Sequence, residues 1–126
     1  MSYQTFTNNY KNNAILTASP EKLVVMMYEG AIKNMEMARL ELEKPDNDYA
    51  PRIGETLGKA MAIIGELRAV LDFEKGAPVA QELDRLYEFC LDRIYQTNLN
   101  RRPEDIRGPI RVMKTLKEGW DALVPA

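Results

Sequence analysis

The pattern of apolar positions predicts four amphipathic helices. Apolar residues recur every three or four positions over four stretches, which are separated by proline- and asparagine-containing breaks. This spacing places the apolar side chains on one face of a helix, and no stretch alternates with period two over a strand's length. Short loops between helices of about 20 residues favour antiparallel neighbours. The predicted fold class is therefore all-α, an antiparallel up-down-up-down four-helix bundle. The helices are expected at about residues 20–43, 52–71, 78–98 and 103–124.

The first nineteen residues differ from the rest because their apolar positions are isolated. Four asparagines in this stretch lower its helix propensity. Ser19, Pro20 and Glu21 then form a typical helix start, with an N-cap serine and a proline at the first helical position. We therefore predict a mobile N-terminal segment over residues 1–19 and a bundle over residues 20–126.

The third predicted helix carries more apolar surface than packing on one side requires. Its main stripe consists of Val79, Leu83, Leu86, Cys90 and Ile94. Tyr87, Leu91 and Tyr95 form a second stripe with a spacing of four residues. A helix packed on one side needs one stripe, so the second should contact another helix or a partner. Tyr87 lies between the stripes and is equally well placed for the core, which narrows the surface role to Leu91 and Tyr95.

Two local features leave alternatives open. Gly54, Gly58 and Gly65 lie inside the second helix, where they either leave room for a close helix neighbour or are simply tolerated. Pro109 removes a backbone hydrogen bond near the start of the fourth helix. Either residues 103–107 form a separate first turn or the helix begins near Pro109; we favour one helix with a disturbed beginning.

Composition narrows the class of protein. The chain has 126 residues, 45% apolar and 29% charged, with a net charge of −2, as in an ordinary globular domain. No apolar run approaches the roughly 20 residues that cross a bilayer, and no secretory signal pattern is found at the N-terminus. These observations fit a cytoplasmic protein without membrane insertion.

The chain lacks the residues that most catalytic and metal sites require. It has no histidine and one cysteine, Cys90, which excludes Ser-His and Cys-His nucleophile pairs and Cys/His zinc sites. The histidines of carboxylate di-iron bundles are missing as well. We therefore predict a protein that is not an enzyme and binds no metal or cofactor, with Cys90 as a small buried apolar group.

Two residue groups are candidate binding surfaces. Arg101, Arg102, Arg107 and Arg111 form the one basic concentration, but no aromatic residue is interleaved for base stacking, so we favour an ordinary surface over nucleic-acid binding. Several methionines lie off the main stripes, either as parts of an adaptable groove or as gap fillers at helix edges. These methionines are Met26, Met37 and Met61.

Ordered motifs along the chain resemble the FliS family, the flagellin-specific export chaperones. The first is Thr17-Ala18-Ser19-Pro20-x-x-Leu23 after Tyr10 and Ile15, followed by Met27-Tyr28-x-Gly30-Ala31. Further on come Ile63-Ile64-x-Glu66-Leu67, then Leu71-Asp72-x-Glu74-x-Gly76, then Leu86-Tyr87, Arg93 and Trp120. The resemblance covers about residues 10–120.

The resemblance implies a cytoplasmic chaperone that holds the C-terminal region of flagellin as helices on the bundle surface. Such a protein prevents premature polymerisation and helps deliver flagellin to the gate of the flagellar type III export apparatus. Regulators of flagellar genes form a further class of candidate partner. The resemblance also implies that the N-terminal segment, with Tyr10 and Ile15, covers part of the groove when flagellin is absent.

From the stripe geometry we expect helices two and three, with helix four, to present that groove. The residues predicted to bind the partner there are Ile63, Val70, Leu91 and Tyr95. We expect a monomer or a weak homodimer. The alternative is a helical-bundle adaptor or regulator, whose second stripe is a fixed interface with its own copy or with one folded protein.

Overall fold

The computed structural model describes residues 20–122 and shows four helices. They are α1 (Pro20–Leu42), α2 (Pro51–Ala69), α3 (Val79–Asn100) and α4 (Glu104–Asp121). No strand occurs among these residues. The helix ends agree well with the apolar pattern, and the largest difference is at the end of α4, at residue 121 instead of 124. The expected mobile segment and the Ser19 N-cap lie outside the described residues.

The four helices form a closed ring of neighbours. α1 packs on α2 and α4, and α3 packs on the same two helices, whereas the described backbones of the diagonal pairs do not approach within 8 Å. Ion pairs show the direction of α4 against α1, because Arg107 lies opposite Glu43 and Lys114 opposite Glu36. The all-α four-helix bundle predicted from the sequence is confirmed.

The core fills the space that the four helices enclose. Its largest fully buried side chains include Tyr28 and Met35 of α1, Leu57 of α2, Tyr87 of α3 and Met113 of α4. Burial of this apolar surface is the main driving force for the fold. Tyr87, at 1% exposure, therefore belongs to the core, as its position between the two stripes allowed.

Two residues were assigned to the wrong face of their helices. Val79 was expected on the main stripe of α3, but it is 63% exposed because it is the first residue of the helix, and Ala80 takes the core position. Ile63 was expected on the surface, but it is 3% exposed and lies in the core. The buried face of α2 is wide enough to include Ile63 beside Ile64.

α4 is one continuous helix through Pro109. Helical structure runs from Glu104 to Asp121, with Pro109 inside it and buried. The Pro109 ring is therefore part of the core packing, and the Cys90 thiol donates to the Pro109 carbonyl at 4.0 Å. The structure supports the interpretation of a single helix that begins before the proline.

Two loop positions have special backbone requirements. A Cβ on Gly76 would lie 2.7 Å from the Asp72 carbonyl oxygen, so the α2–α3 loop requires glycine there. Arg101 ends α3 with a φ of 55°, in the left-handed region. Its guanidinium donates to the carbonyls of Asn98 and Asp48, both at 2.8 Å, which ties the α1–α2 loop to the end of α3.

Candidate functional site

The α2–α3 seam has a register fixed at both ends. At one end Arg68 of α2 donates to Asp84 of α3 at 2.6 Å. At the other end a Cβ on Gly54 would lie 3.7 Å from the Asn98 side chain. Between these ends the seam positions follow spacings of four and three residues on both helices. By this spacing, Gly58, Met61 and Gly65 of α2 belong to the seam, as do Tyr95, Leu91 and Glu88 of α3.

The middle of this seam carries apolar side chains beside two uncrowded glycines. A Cβ added to Gly58 or Gly65 would meet no neighbouring group within 4 Å. Met61 and Leu91 are half-buried and pack against the core from below. Tyr95 is 52% exposed at the side. We call these five residues, Gly58, Met61, Gly65, Leu91 and Tyr95, the α2–α3 groove.

The three glycines of α2 differ in what surrounds them. Gly54 lies in van der Waals range of α3, so it does leave room for a close helix neighbour. Gly58 and Gly65 leave room that no described part of the chain fills. Each of these two glycines costs a helix about 1 kcal/mol relative to alanine. Neither position has a close helix neighbour among the described residues, which favours simple tolerance for these two glycines.

A separate cavity of about 620 Å³ lies at one end of the bundle, where the end of α2, the start of α3 and the end of α4 meet. It lies beside the Asp72–Gly76 turn, and Val70 and Val79 are exposed at its edge. We call it the end cavity. Its lining is mainly apolar and consists of Val24, Leu67, Val70, Leu71, Asp72, Lys75, Gly76, Ala77, Val79, Ala80, Leu83, Tyr87 and Trp120.

Two aromatic residues of the end cavity belong to a hydrogen-bonded trio. The Trp120 indole donates to the Tyr28 hydroxyl at 3.2 Å, and the Tyr28 and Tyr87 hydroxyls are hydrogen-bonded to each other. The ring centroids of Tyr28 lie 6.4 Å from Tyr87 and 6.5 Å from Trp120. Burial raises the pKa of both tyrosines, so both hydroxyls keep their hydrogens.

The partner-binding residues predicted from the sequence do not form one surface. Leu91 and Tyr95 lie in the α2–α3 groove, whereas Val70 lies at the end cavity. At a rise of about 1.5 Å per residue, Tyr95 is roughly 24 Å along α3 from the cavity edge at Val79. Ile63 is in the core and contributes to neither surface. Tyr10 and Ile15 lie outside the described residues.

The opposite seam, between α1 and α4, is covered by charged side chains. Lys114 pairs with Glu36 at 3.0 Å, and Glu36 also receives Arg39 at 2.6 Å. Lys117 lies 3.8 Å from Glu29. We call this surface the α1–α4 face. Long charged side chains cover the apolar stripe beneath them.

The arginine cluster is divided among local contacts. Arg101 belongs to the α3 end described above, Arg102 pairs with Asp105 at 3.5 Å, and Arg107 lies 3.9 Å from Glu43. Arg111 borders a small apolar pocket between α3 and α4. Arg107 and Arg111 also line one pocket beside α1, whereas the contacts of Arg101 and Arg102 lie at the end of α3 and the start of α4.

The single thiol and the carboxylates of the described residues form no metal-type cluster. Cys90 is buried, and burial raises the pKa of its thiol to about 12, so it is a core group, as expected from its stripe. Within residues 20–122, no three acidic or cysteine side chains are grouped as a metal site would need. None of the four helices has a stretch apolar enough to span a bilayer.

Sequence reasoning missed the end cavity and the role of two glycines. The glycine signal was present, because Gly54, Gly58, Met61, Gly65 and Arg68 have the four-three spacing of a helix seam. The end cavity had no such signal, because its lining comes from four separate stretches of the chain.

Comparison with known proteins agrees with this bundle. A family model described as flagellar protein FliS matches residues 2–126. The flagellar secretion chaperone FliS of Vibrio cholerae is 32% identical over 124 residues, which cover 98% of this chain and 89% of that protein. FliS of Salmonella typhimurium is 35% identical over 114 residues, 90% of this chain and 82% of that protein. FliS of Bacillus subtilis is 30% identical over 99 residues, 79% and 71% of the two chains. The chain therefore belongs to the FliS family of flagellar proteins.

Proposed function

We propose that this protein is a cytoplasmic export chaperone that binds the C-terminal helical region of flagellin. Binding keeps flagellin from polymerising early and helps to deliver it to the flagellar type III export apparatus. Family membership supports the chaperone role, since the relatives are named flagellar secretion chaperones. The α2–α3 groove supports the binding of a helix.

The observation that carries the proposal is the open space at Gly58 and Gly65, which we propose forms a channel for a partner helix. The two glycines are two helical turns apart, about 10 Å along the axis. A partner helix lying in the channel would bring apolar side chains at positions i and i+7 over the two gaps, with an i+3 or i+4 side chain over Met61 and Leu91. Tyr95 supplies an exposed aromatic ring at the side of the channel, the type of residue that anchors many interfaces.

The polar end of the groove restricts how the partner enters. Arg68 is engaged by Asp84 at 2.6 Å and by Glu88 at 3.7 Å, so the cation is neutralised and two carboxylates surround it. Glu88 is exposed and contacts Arg68 only at 3.7 Å, so it can also meet a basic side chain of the partner. We therefore expect the bound helix to place a lysine or arginine near Glu88.

The remaining parts of the proposal rest on the resemblance to the family. Tyr10 and Ile15 are proposed to cover the apolar surface when flagellin is absent. A component of the export gate, and regulators of flagellar genes, are proposed as further partners of a monomer or weak homodimer.

A titration of labelled flagellin C-terminal peptide tests the groove. Leu91→Asp places a carboxylate on the floor of the channel and should weaken peptide binding at least 30-fold, because a charge would be buried unpaired. Ile32→Asp is the matched control: Ile32 is also half-buried and packs against the core, but it lies by the α1–α4 face. The affinity of the Ile32→Asp variant for the peptide should stay within twofold of that of wild type.

Equal affinities in wild type and Leu91→Asp would contradict the groove. Size-exclusion chromatography with light scattering separates the alternative function. A tight dimer that peptide does not dissociate would instead assign the α2–α3 groove to an adaptor that pairs with its own copy.

A further inference from the structure

The α1–α4 face carries more positive charge than its own carboxylates pair with. A depression of about 450 Å³ lies on this face between the two helices. The charged side chains that line it are four cations and two carboxylates: Arg39, Arg107, Arg111, Lys114, Glu36 and Glu118. The whole chain has a net charge of −2, so this positive excess is local and opposite in sign to the protein. A local excess of positive charge attracts anionic groups.

Two of the cations are already paired with carboxylates of α1 and the residue that follows it. Arg39 donates to one oxygen of Glu36 at 2.8 Å and to both oxygens of Glu43 at 2.9 Å. Lys114 donates to the other oxygen of Glu36 at 3.0 Å. Glu36 and Glu43 are therefore committed to Arg39 and Lys114.

The other two cations have no such partner. The Arg107 guanidinium lies 3.9 Å from Glu43, beyond hydrogen-bond distance, and the carboxylate oxygen it faces already accepts from Arg39. Arg111 makes no hydrogen bond or ion pair with any residue in the described range 20–122. Arg107 and Arg111 are both exposed and four residues apart, so they lie on one side of α4 with about 6 Å between them along the axis.

We propose that the α1–α4 face binds an acidic surface helix of a partner protein, whose carboxylates pair with Arg107 and Arg111. Two carboxylates that are four residues apart on a helix have the same spacing of about 6 Å as the two arginines. A guanidinium pairs with a carboxylate through two parallel hydrogen bonds, which fixes the orientation of the partner as well as its charge. A face covered with ion pairs does not suit an apolar helix, but it suits this one.

The carboxylate at the far end of the depression sets a further requirement. Glu118 lies seven residues beyond Arg111 on α4, about 10 Å along the axis. A partner helix that lies along α4 should therefore carry a lysine or arginine about seven residues from its nearer carboxylate. Such an arrangement of both signs selects a partner more strictly than a single charge does.

The mixed charges favour a protein helix over a nucleic acid. Duplex DNA carries one negative charge for roughly every 1.7 Å of its axis, so it would bring phosphates against Glu36 and Glu118 as well as against the arginines. Among the side chains that line the depression, none is aromatic, so bases have no stacking surface there. A protein helix can place a carboxylate at one position and a lysine at another, and so matches both signs.

The acidic partner and flagellin would occupy different sides of the bundle. The helices form a ring in which the seam of α1 and α4 lies across from the seam of α2 and α3. The α1–α4 face therefore remains accessible when the α2–α3 groove is filled. The proposal goes beyond the export-chaperone function, and it holds or fails independently of the groove.

A pair of designed peptides tests the surface. The acidic probe is an alanine-based helical peptide with two glutamates four residues apart and a lysine seven residues to either side, so that either direction can match Glu118. The control peptide has glutamines in place of the glutamates. Each is titrated into 15N-labelled full-length protein, and the signals of residues 107–118 are followed. At low salt we expect the acidic peptide to bind about fivefold more tightly than the control, and 0.5 M NaCl should remove this preference.

Variants of single arginines assign the preference to the face. Arg111→Gln should lower the preference for the acidic peptide about threefold, and its thermal unfolding should match that of wild type because Arg111 has no partner to lose. Arg85→Gln is the matched control, since it removes the same charge from an exposed arginine on α3 that pairs with Glu82 at 3.1 Å. It should keep the full preference.

Three results would overturn the proposal. Equal affinities of the two peptides for wild type would show that the arginines recognise no carboxylates. An equal loss in Arg111→Gln and Arg85→Gln would indicate a general charge effect without a site. A single-stranded oligonucleotide that binds residues 107–118 more tightly than the acidic peptide would replace the protein partner by a nucleic acid. Flagellin C-terminal peptide should not displace the acidic peptide, and displacement would move its binding site to the α2–α3 groove.

Discussion

The α2–α3 groove and the α1–α4 face differ in the chemistry of their surface side chains: the first is mainly apolar and the second is charged. Each is a seam between two antiparallel helices at the surface of one bundle. Over α1 and α4, Lys114 and Lys117 reach across to Glu36 and Glu29, and their stems cover the apolar stripe. Over α2 and α3, no described group lies within 4 Å of a Cβ placed on Gly58 or Gly65.

The difference shows how a bundle can limit the binding of an apolar helix to one side. An apolar helix that binds over a seam of ion pairs must first remove water from several charges. The free energy of this desolvation exceeds the free energy that the ion pairs return. A seam lined by glycine and apolar side chains offers apolar contact without the desolvation of charges. The α2–α3 seam is also the less optimised for folding, since its glycines weaken α2.

The largest expected effect separates two side chains that the sequence placed on one surface. Ile63→Ala should destabilise the fold by about 3 kcal/mol, because it opens a cavity in the core. Tyr95→Ala should cost less than about 1 kcal/mol in stability, since half of its surface is exposed, but should weaken peptide binding about tenfold. Urea unfolding and peptide titration of both variants measure the two effects. Similar losses of stability would show that Tyr95 is a core residue.

The next effect sets binding against stability at a single position. Gly58→Leu should weaken peptide binding tenfold or more by filling the channel, while it raises the unfolding free energy by up to about 1 kcal/mol through helix propensity. Gly119→Leu is the control, because Gly119 also has open space but lies on α4. It should leave binding unchanged. Full affinity in Gly58→Leu would mean that the partner avoids the channel.

Salt should act on the two seams differently. Lys114→Ala should destabilise the protein by about 0.5 kcal/mol at low ionic strength and by almost nothing in 1 M NaCl, because its pair with Glu36 is exposed and screened. Peptide affinity for the apolar groove should fall no more than twofold over the same change. A steep loss of affinity with salt would indicate that charges, not the channel, dominate binding.

The smallest effect is a pH dependence of the α1–α4 face. Partial burial raises the pKa of Glu36, but hydrogen bonds from Arg39 and Lys114 outweigh it, and the net pKa lies below its ordinary value of about 4.3. A carboxyl with a lowered pKa stabilises the fold above its unfolded pKa and loses this contribution as the pH falls through its folded pKa. The stability difference between wild type and Glu36→Gln should therefore shrink below about pH 4. A difference that stays constant from pH 7 to pH 3 would contradict this assignment.

Much of the fold could be predicted from the sequence, because helix positions depend on residues that are close together along the chain. Apolar spacing and the proline breaks located all four helices to within a few residues. The same spacing misplaced Ile63. An apolar residue beside the main stripe can belong either to a wide buried face or to an apolar surface, and the sequence pattern is the same in both cases. Val79 was misplaced because the pattern does not show that a first-turn residue can point past the end of its neighbours.

By itself, the sequence determined an all-α bundle, the absence of histidine chemistry, the burial of Cys90 and a resemblance to one family. Those properties depend on residue type and on spacing within single helices. The tertiary structure decided that Ile63 lies in the core, and that Val70 belongs to a separate cavity. It also brought Tyr28, Tyr87 and Trp120 together from positions up to 92 residues apart. Contacts at such separations depend on how helices dock against each other, which no local pattern in the chain records.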